Sequence, residues 1–148
     1  MPNGPVLYCY DGSEHAQRAL TTAHALLGER PAVVLTVWSP AMRPVIAAGY
    51  MAIPASVISE TDEAIERDAE ATCEAGQKLV GATARGRVEP VIGSAWPAIL
   101  EIADQLDAQL IVVGTRGRGA VASTVLGSVS HGLANHGKRP LLIVPDPA

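Results

Sequence analysis

Phenylalanine is absent, aromatic residues make up 3% of the chain, and the 48% that is hydrophobic is therefore almost wholly aliphatic. Lysine is nearly absent too. Lys78 and Lys138 are the two among eleven basic residues, so no polybasic patch exists for lipid headgroups or nucleic-acid phosphates. Fifteen acids leave a net charge of −4, which argues against binding nucleic acid through bulk charge. Two cysteines, Cys9 and Cys73, supply neither a disulfide framework nor a zinc site, as expected of a reduced cytoplasmic protein. Long apolar runs are missing as well. The longest stretches without Asp, Glu, Lys or Arg are 44–59, broken by Pro44, Gly49 and Pro54, and 119–137, rich in Gly, Ser, His and Asn. Neither is expected to span a bilayer. The opening MPNGPVLYCYDG has no basic, then apolar, leader pattern, so no secretory signal is expected.

A length of 148 residues suits a single domain over 1–148, able to bury roughly 70% of its unfolded surface. Four apolar runs read as strands: VLYCY (6–10), AVVLTVW (32–38), LIVV (110–113) and LLIV (141–144). Three are nearly continuous in Val, Leu and Ile, the pattern of strands buried on both faces. A fifth, RVEPVI (87–92), contains Pro90 and reads as an edge strand. Between them lie helical periodicities. Ser13 predicts the N-cap of a helix over 14–27, with Ala16, Ala19, Leu20, Ala23 and Leu27 on one stripe. A second helix is expected over 60–81 with Ile65, Ala69, Thr72, Gly76 and Leu79 inward and a Glu63–Arg67 pair outward. A third is expected over 95–106 with Ile99, Ile102 and Leu106 inward, and a fourth from near Gly127 to near Gly137. The order βαβαβαβαβ predicts an α/β, doubly wound domain: one parallel sheet with helices on both faces. Residues 39–59 form a long, almost uncharged connection that reads as a flap, an interface arm or packing over the sheet.

Three glycine patterns invite a phosphate. Gly132 to Lys138 has P-loop spacing, but Arg139 stands where a magnesium-binding hydroxyl belongs, and the stretch closes a helix instead of opening one. Gly117-Arg-Gly119-Ala-Val-Ala122 spells a dinucleotide fingerprint, yet the expected acid about twenty residues later is missing from RPLLIVP. The third pattern is wider. Strand LIVV runs into Gly114-Thr115-Arg116-Gly117, and Gly127-Ser128-Val129-Ser130 then opens the fourth helix. A helix N-terminus offers free amides backed by the positive end of its dipole. Ser128 and Ser130 add hydroxyls, and Arg116 and Arg118 add charge. A glycine loop with a serine cap would look the same.

G-x2-G-x9-G-[ST] after a strand LIVVG resembles the ATP-binding motif of the universal stress protein family, matched by Gly114, Gly117, Gly127 and Ser128 and continued by Val129 and Ser130. VLYCYDGSEHAQRAL resembles that family's opening strand and turn, and KRPLLIVP its last strand. The resemblance implies a five-stranded sheet in the order 3-2-1-4-5 and a nucleotide in the crevice where the order reverses. It implies that Asp11 contacts the ribose or its metal and that the Val37 backbone pairs with the adenine edge. It further implies that Gly114 and Gly117 bracket ribose and phosphates, that Gly127, Ser128, Val129 and Ser130 hold the phosphate chain, and that Arg116 is a countercharge. The cofactor implied is ATP, with or without magnesium, and the assembly implied is a homodimer paired through 140–145.

Catalytic patterns do not accompany that site: the chain has no G-x-S-x-G elbow, no paired-histidine metal spacing and no Walker lysine. His15 and His24, and His131 and His136, are spaced wrongly for shared ligation, and Cys9 reads as a small apolar filler. The expected function is a non-enzymatic, nucleotide-dependent stress-response switch. A slow ATPase or nucleotidyl-transferring enzyme, or an interaction module with a vestigial pocket, are the alternatives.

Overall fold

The computed structural model describes residues 3–40, 49, 54–116 and 126–147. The chain order is β1 (Val6–Cys9), α1 (Glu14–Leu27), β2 (Ala32–Trp38), α2 (Ala55–Val80), β3 (Arg85–Pro90), α3 (Ala95–Gln105), β4 (Leu110–Gly114), α4 (Ser128–His136) and β5 (Leu141–Val144). All pairings are parallel and the strand order is β3-β2-β1-β4-β5. The chain runs outward from β1 in both directions, and the helices divide between two faces. On one face α1 and α2 cover Val6, Tyr8, Val34 and Val112 with Ala19, Leu20, Ala23, Cys73 and Val80. On the other, α3 and α4 cover Leu7, Val33, Leu35, Ile111 and Val113 with Ile99, Ile102, Ala103 and Leu133. Successive residues of one strand thus feed opposite cores, which is why the central strands read as unbroken apolar runs.

Helix α1 follows its sequence pattern closely. Ser13 is the N-cap, its hydroxyl accepting from the amide of Ala16 at 3.1 Å, and Gly28 ends the helix with φ 70°. Helix α2 departs from expectation at its start. It begins at Ala55, five residues earlier than its periodicity indicates, behind Pro54, which makes no side-chain cap. Its first turns bury little, so no apolar stripe marks them. The inward face is also rotated: Ala69, Cys73, Gly76 and Val80 are buried, and Ile65, Thr72 and Leu79 only half-buried. Gly76 allows the closest approach, since a Cβ there would lie 2.6 Å from the Tyr10 ring. Arg67 Nε donates to the Glu63 main-chain carbonyl at 3.3 Å, while the Glu63 carboxylate accepts from Ser59. The connection before α2 is correspondingly shorter than 39–59, and most of it lies outside the described residues. β3 is an edge strand as expected, but starts at Arg85: its polar first residues pair with Val33 and Val34 without being buried.

Candidate functional site

The central strand stops pairing before its two neighbours do. β1 pairs with β2 as far as Cys9↔Leu35 and with β4 as far as Tyr8↔Val112. Its neighbours continue, β2 to Trp38 beside Pro90 and β4 to Gly114 beside Val144. β1 thus leaves a cleft between its neighbours at the carboxyl end of the sheet, where the strand order reverses and Asp11 sits in the following turn, while the Tyr10 ring is buried in the α1–α2 core.

Ladder alternation decides what faces this cleft. The Tyr10 amide donates to Leu35 at 2.9 Å and the Val91 amide to Trp38 at 2.8 Å. Leu35 thus turns its peptide groups toward β1, Trp38 toward β3, and Val37, two residues past Leu35, toward the space beyond the last β1 pair. The same reasoning applies to β4. The Ile111 amide donates to Pro140 at 3.0 Å, so Ile111 and Val113 face β5 and Gly114 faces the cleft. Val37 and Gly114 present main-chain groups from opposite walls.

Asp11 sits in the turn that leaves β1. Its Oδ1 accepts the Ser13 amide at 2.9 Å, an Asx turn made possible by Gly12 at φ 81°. A Cβ at Gly114 would make a tight contact, 3.3 Å from the His15 carbonyl oxygen in the first turn of α1. Neither Gly114 nor Gly127 has the left-handed backbone that a glycine turn suggests, and Gly127 has φ −68°.

The loop after β4 is tied at its neck. The Gly127 amide donates to the Thr115 carbonyl at 2.6 Å, and the buried Ser130 hydroxyl lies 3.1 Å from both the Thr115 and the Gly127 carbonyls. Val129 packs into the α3–α4 core, while Ser128 is exposed. The first intrahelical bond of α4 runs from the His131 amide to Gly127 at 3.0 Å, and Gly127 supplies no side-chain cap. Among the described residues, the amides of Ser128, Val129 and Ser130 have no acceptor at this helix start, with the dipole behind them. Arg116 is half-buried, and its Nε finds no hydrogen-bond partner among the described residues. Gly117 and the 117–122 fingerprint match lie outside the described residues.

Other polar groups resolve into structure. His131 pairs through Nε2 with the Asn135 amide at 2.9 Å, and Cys9 is pushed up to about 12 by burial and then by the Asp11 charge, far from a reactive thiol. Gly137 closes α4, its amide donating to Leu133 at 2.9 Å, which settles the P-loop lookalike as a helix end. Sequence reasoning missed Thr115, whose carbonyl ties the neck, and Asp146, which meets His15 Nδ1 and lies 3.3 Å from Arg18 Nη2. A backbone acceptor and a carboxylate past the last strand leave no motif to read. Among the described residues no group of three His, Cys, Asp or Glu side chains is placed to hold a metal, and no helix is long and apolar enough to cross a membrane.

The model of the universal stress protein family matches residues 2–145. A universal stress protein of Thermus aquaticus, encoded in the 3' region of a QAH/OAS sulfhydrylase gene, is 35% identical over 141 residues, covering 94% of this chain and 96% of that one. The fold of the universal stress protein UspA from Lactobacillus plantarum superimposes with a TM-score of 0.75 at 20% identity, over 97% of this chain and 99% of that one. A universal stress protein solved in complex with cAMP aligns with a TM-score of 0.57 at 28% identity, over 98% of each chain. With a whole-length family match, a relative of this identity and the 3-2-1-4-5 sheet, the chain belongs to the universal stress protein family.

Proposed function

We propose that this protein is a nucleotide-dependent stress-response switch that binds ATP, with or without magnesium, in the cleft beyond β1 and does not turn it over. One observation supports the reading: β1 stops pairing before its neighbours do, at the end of the sheet that carries the Val37 and Gly114 peptide groups, the Asp11 turn and, tied to Thr115, the start of α4. Those are an edge for a base, a carboxylate for a ribose and donors for phosphate. The relative holding cAMP supports an adenine nucleotide as the ligand class. In this reading Gly117 completes the phosphate turn, Arg116 is the countercharge, and Ser130 acts chiefly by fixing the neck while Ser128 offers its free hydroxyl. The fully apolar edge of β5 suits a homodimer through 140–145, and two free thiols suit the cytoplasm.

Calorimetry with ATP, ADP and AMP, with mass spectrometry of nucleotide carried through purification, tests the binding. Micromolar adenine-nucleotide affinity is expected. Absence of binding at millimolar nucleotide would reject it. Phosphate release above about one turnover per hour with magnesium and ATP would replace the switch with an enzyme.

A further inference from the structure

Strand β2 reads AVVLTVW, and Thr36 is its one hydroxyl-bearing residue. The side chain is 3% exposed, and with Ser130 it makes up the buried polar residues among those described. A hydroxyl in an apolar core costs stability unless it is hydrogen-bonded, and a valine would fill nearly the same space without that cost. Thr36 Oγ1 donates to the Tyr10 carbonyl at 2.9 Å. That carbonyl belongs to the peptide group joining Tyr10 to Asp11, beyond the last β1–β2 pair at Cys9↔Leu35. The Tyr10 amide is held by Leu35 at 2.9 Å, and the Tyr10 ring packs where a Cβ on Gly76 would come within 2.6 Å of it. Because a peptide group is planar, holding its oxygen sets the direction in which the next residue leaves. The next residue is Asp11, whose Oδ1 accepts the Ser13 amide.

We propose that Thr36 is a positioning residue for the cleft: its hydroxyl holds the Tyr10–Asp11 peptide against β2, so the Asp11 turn stands at a fixed place relative to Val37, the next residue of the same strand. The proposal rests on the nucleotide-binding reading and adds to it the residue that spaces the ribose contact from the base contact. Ser130 acts in the same way on the opposite wall, where its hydroxyl lies 3.1 Å from the Thr115 carbonyl. The two buried hydroxyls thus brace the two sides of one opening.

The test is calorimetry with ATP on the wild type, Thr36→Val and Thr36→Ser, each shown to be folded by circular dichroism, with urea midpoints measured alongside. Thr36→Val removes the donor and nearly keeps the shape, and its ATP affinity is expected to fall about five- to twentyfold. Thr36→Ser keeps the hydroxyl and loses a methyl group, so its urea midpoint should fall while ATP affinity stays within about twofold of the wild type. In an Asp11→Asn background Thr36→Val should cost less than about twofold more, because it acts through Asp11. Wild-type ATP affinity in Thr36→Val would overturn the proposal and leave the nucleotide site standing. So would losses from Thr36→Val and Asp11→Asn that multiply, or a Thr36→Ser that loses as much affinity as Thr36→Val. Should Thr36→Val fail to fold, Thr36→Ser decides alone: wild-type affinity at reduced stability supports the role of the hydroxyl, and lost affinity rejects it. Failure of the wild type to bind ATP would remove this proposal together with the reading beneath it.

Discussion

The Gly127 amide and the Thr115 carbonyl meet at 2.6 Å, so the end of β4 and the start of α4 are joined before any ligand arrives. That bond holds the start of α4 at the end of β4, and the Ser130 hydroxyl reinforces it. Preorganised donors bind an anion without the cost of ordering a loop.

The two serines of this helix start should therefore behave differently. Ser128 is exposed and Ser130 buried. Ser130→Ala removes a buried hydrogen bond and should lower stability by about 1 kcal/mol in urea unfolding. Ser128→Asp places a carboxylate where the helix dipole favours it, so the melting temperature should hold or rise slightly. The same charge would repel phosphate, and ATP affinity should fall at least tenfold by calorimetry. Full ATP binding by Ser128→Asp would move the phosphates away from α4.

Gly132 provides a contrasting glycine. A Cβ there would lie 2.3 Å from the Trp96 ring, which itself stacks on His136 with centroids 4.4 Å apart. Gly132→Ala must displace the tryptophan and break this stack. Overpacking of this kind costs about 1–3 kcal/mol, seen as a lower melting temperature and altered tryptophan fluorescence. ATP affinity of the folded fraction should stay unchanged. The P-loop spacing of 132–138 is thus explained by helix packing.

The parts of the fold legible in the residues are those where burial and local chemistry agree. Ala32–Trp38 is apolar throughout because it feeds two cores, and Ser13 and Gly28 bracket α1 with the hydroxyl and the positive φ such ends need. Arg85 and Gly86 were not legible as strand residues, since an edge strand pairs through its backbone and buries little. The early turns of α2 were hidden for the same reason. Gly114 and Gly127 announce themselves by type, and each lies in close backbone approach, to His15 and Thr115 respectively. Thr115 and Asp146 were silent because one acts through a carbonyl and the other through a neighbour that the fold alone brings near.

The half-buried Cys9 and the buried Cys73 should make stability fall at high pH. Burial pushes Cys9 from 9.0 up to about 12, and burial also raises Cys73. Between pH 9 and 12 the unfolded chain ionises a thiol that the folded chain keeps protonated. The unfolded state then binds fewer protons, and stability is lost as pH rises, by up to about 1.4 kcal/mol per pH unit for Cys9, with Cys73 acting in the same direction. Below pH 8 the contribution is fully present. Urea midpoints measured at pH 7.5 and 10 should show this drop, and Cys9→Ala should flatten part of it. Rapid alkylation of Cys9 in the native protein at pH 7.5 would contradict the burial argument.

The assembly proposed for β5 can be tested without disturbing the sheet. The Ile111 amide bonds Pro140, so the ladder to β4 uses the peptide groups of Pro140, Leu142 and Val144. Leu141 and Ile143 therefore turn their amides outward, away from β4, along the open edge. Proline at 143 removes one outward donor and leaves the β4–β5 bonds in place. A homodimer built by pairing two β5 edges should become monomeric in light scattering on Ile143→Pro, while circular dichroism shows the fold retained. Proline at Leu142 is the control: it deletes a bond inside the sheet and should cost stability whether or not the edge is paired. A dimer that survives Ile143→Pro unchanged would assign the interface to another surface.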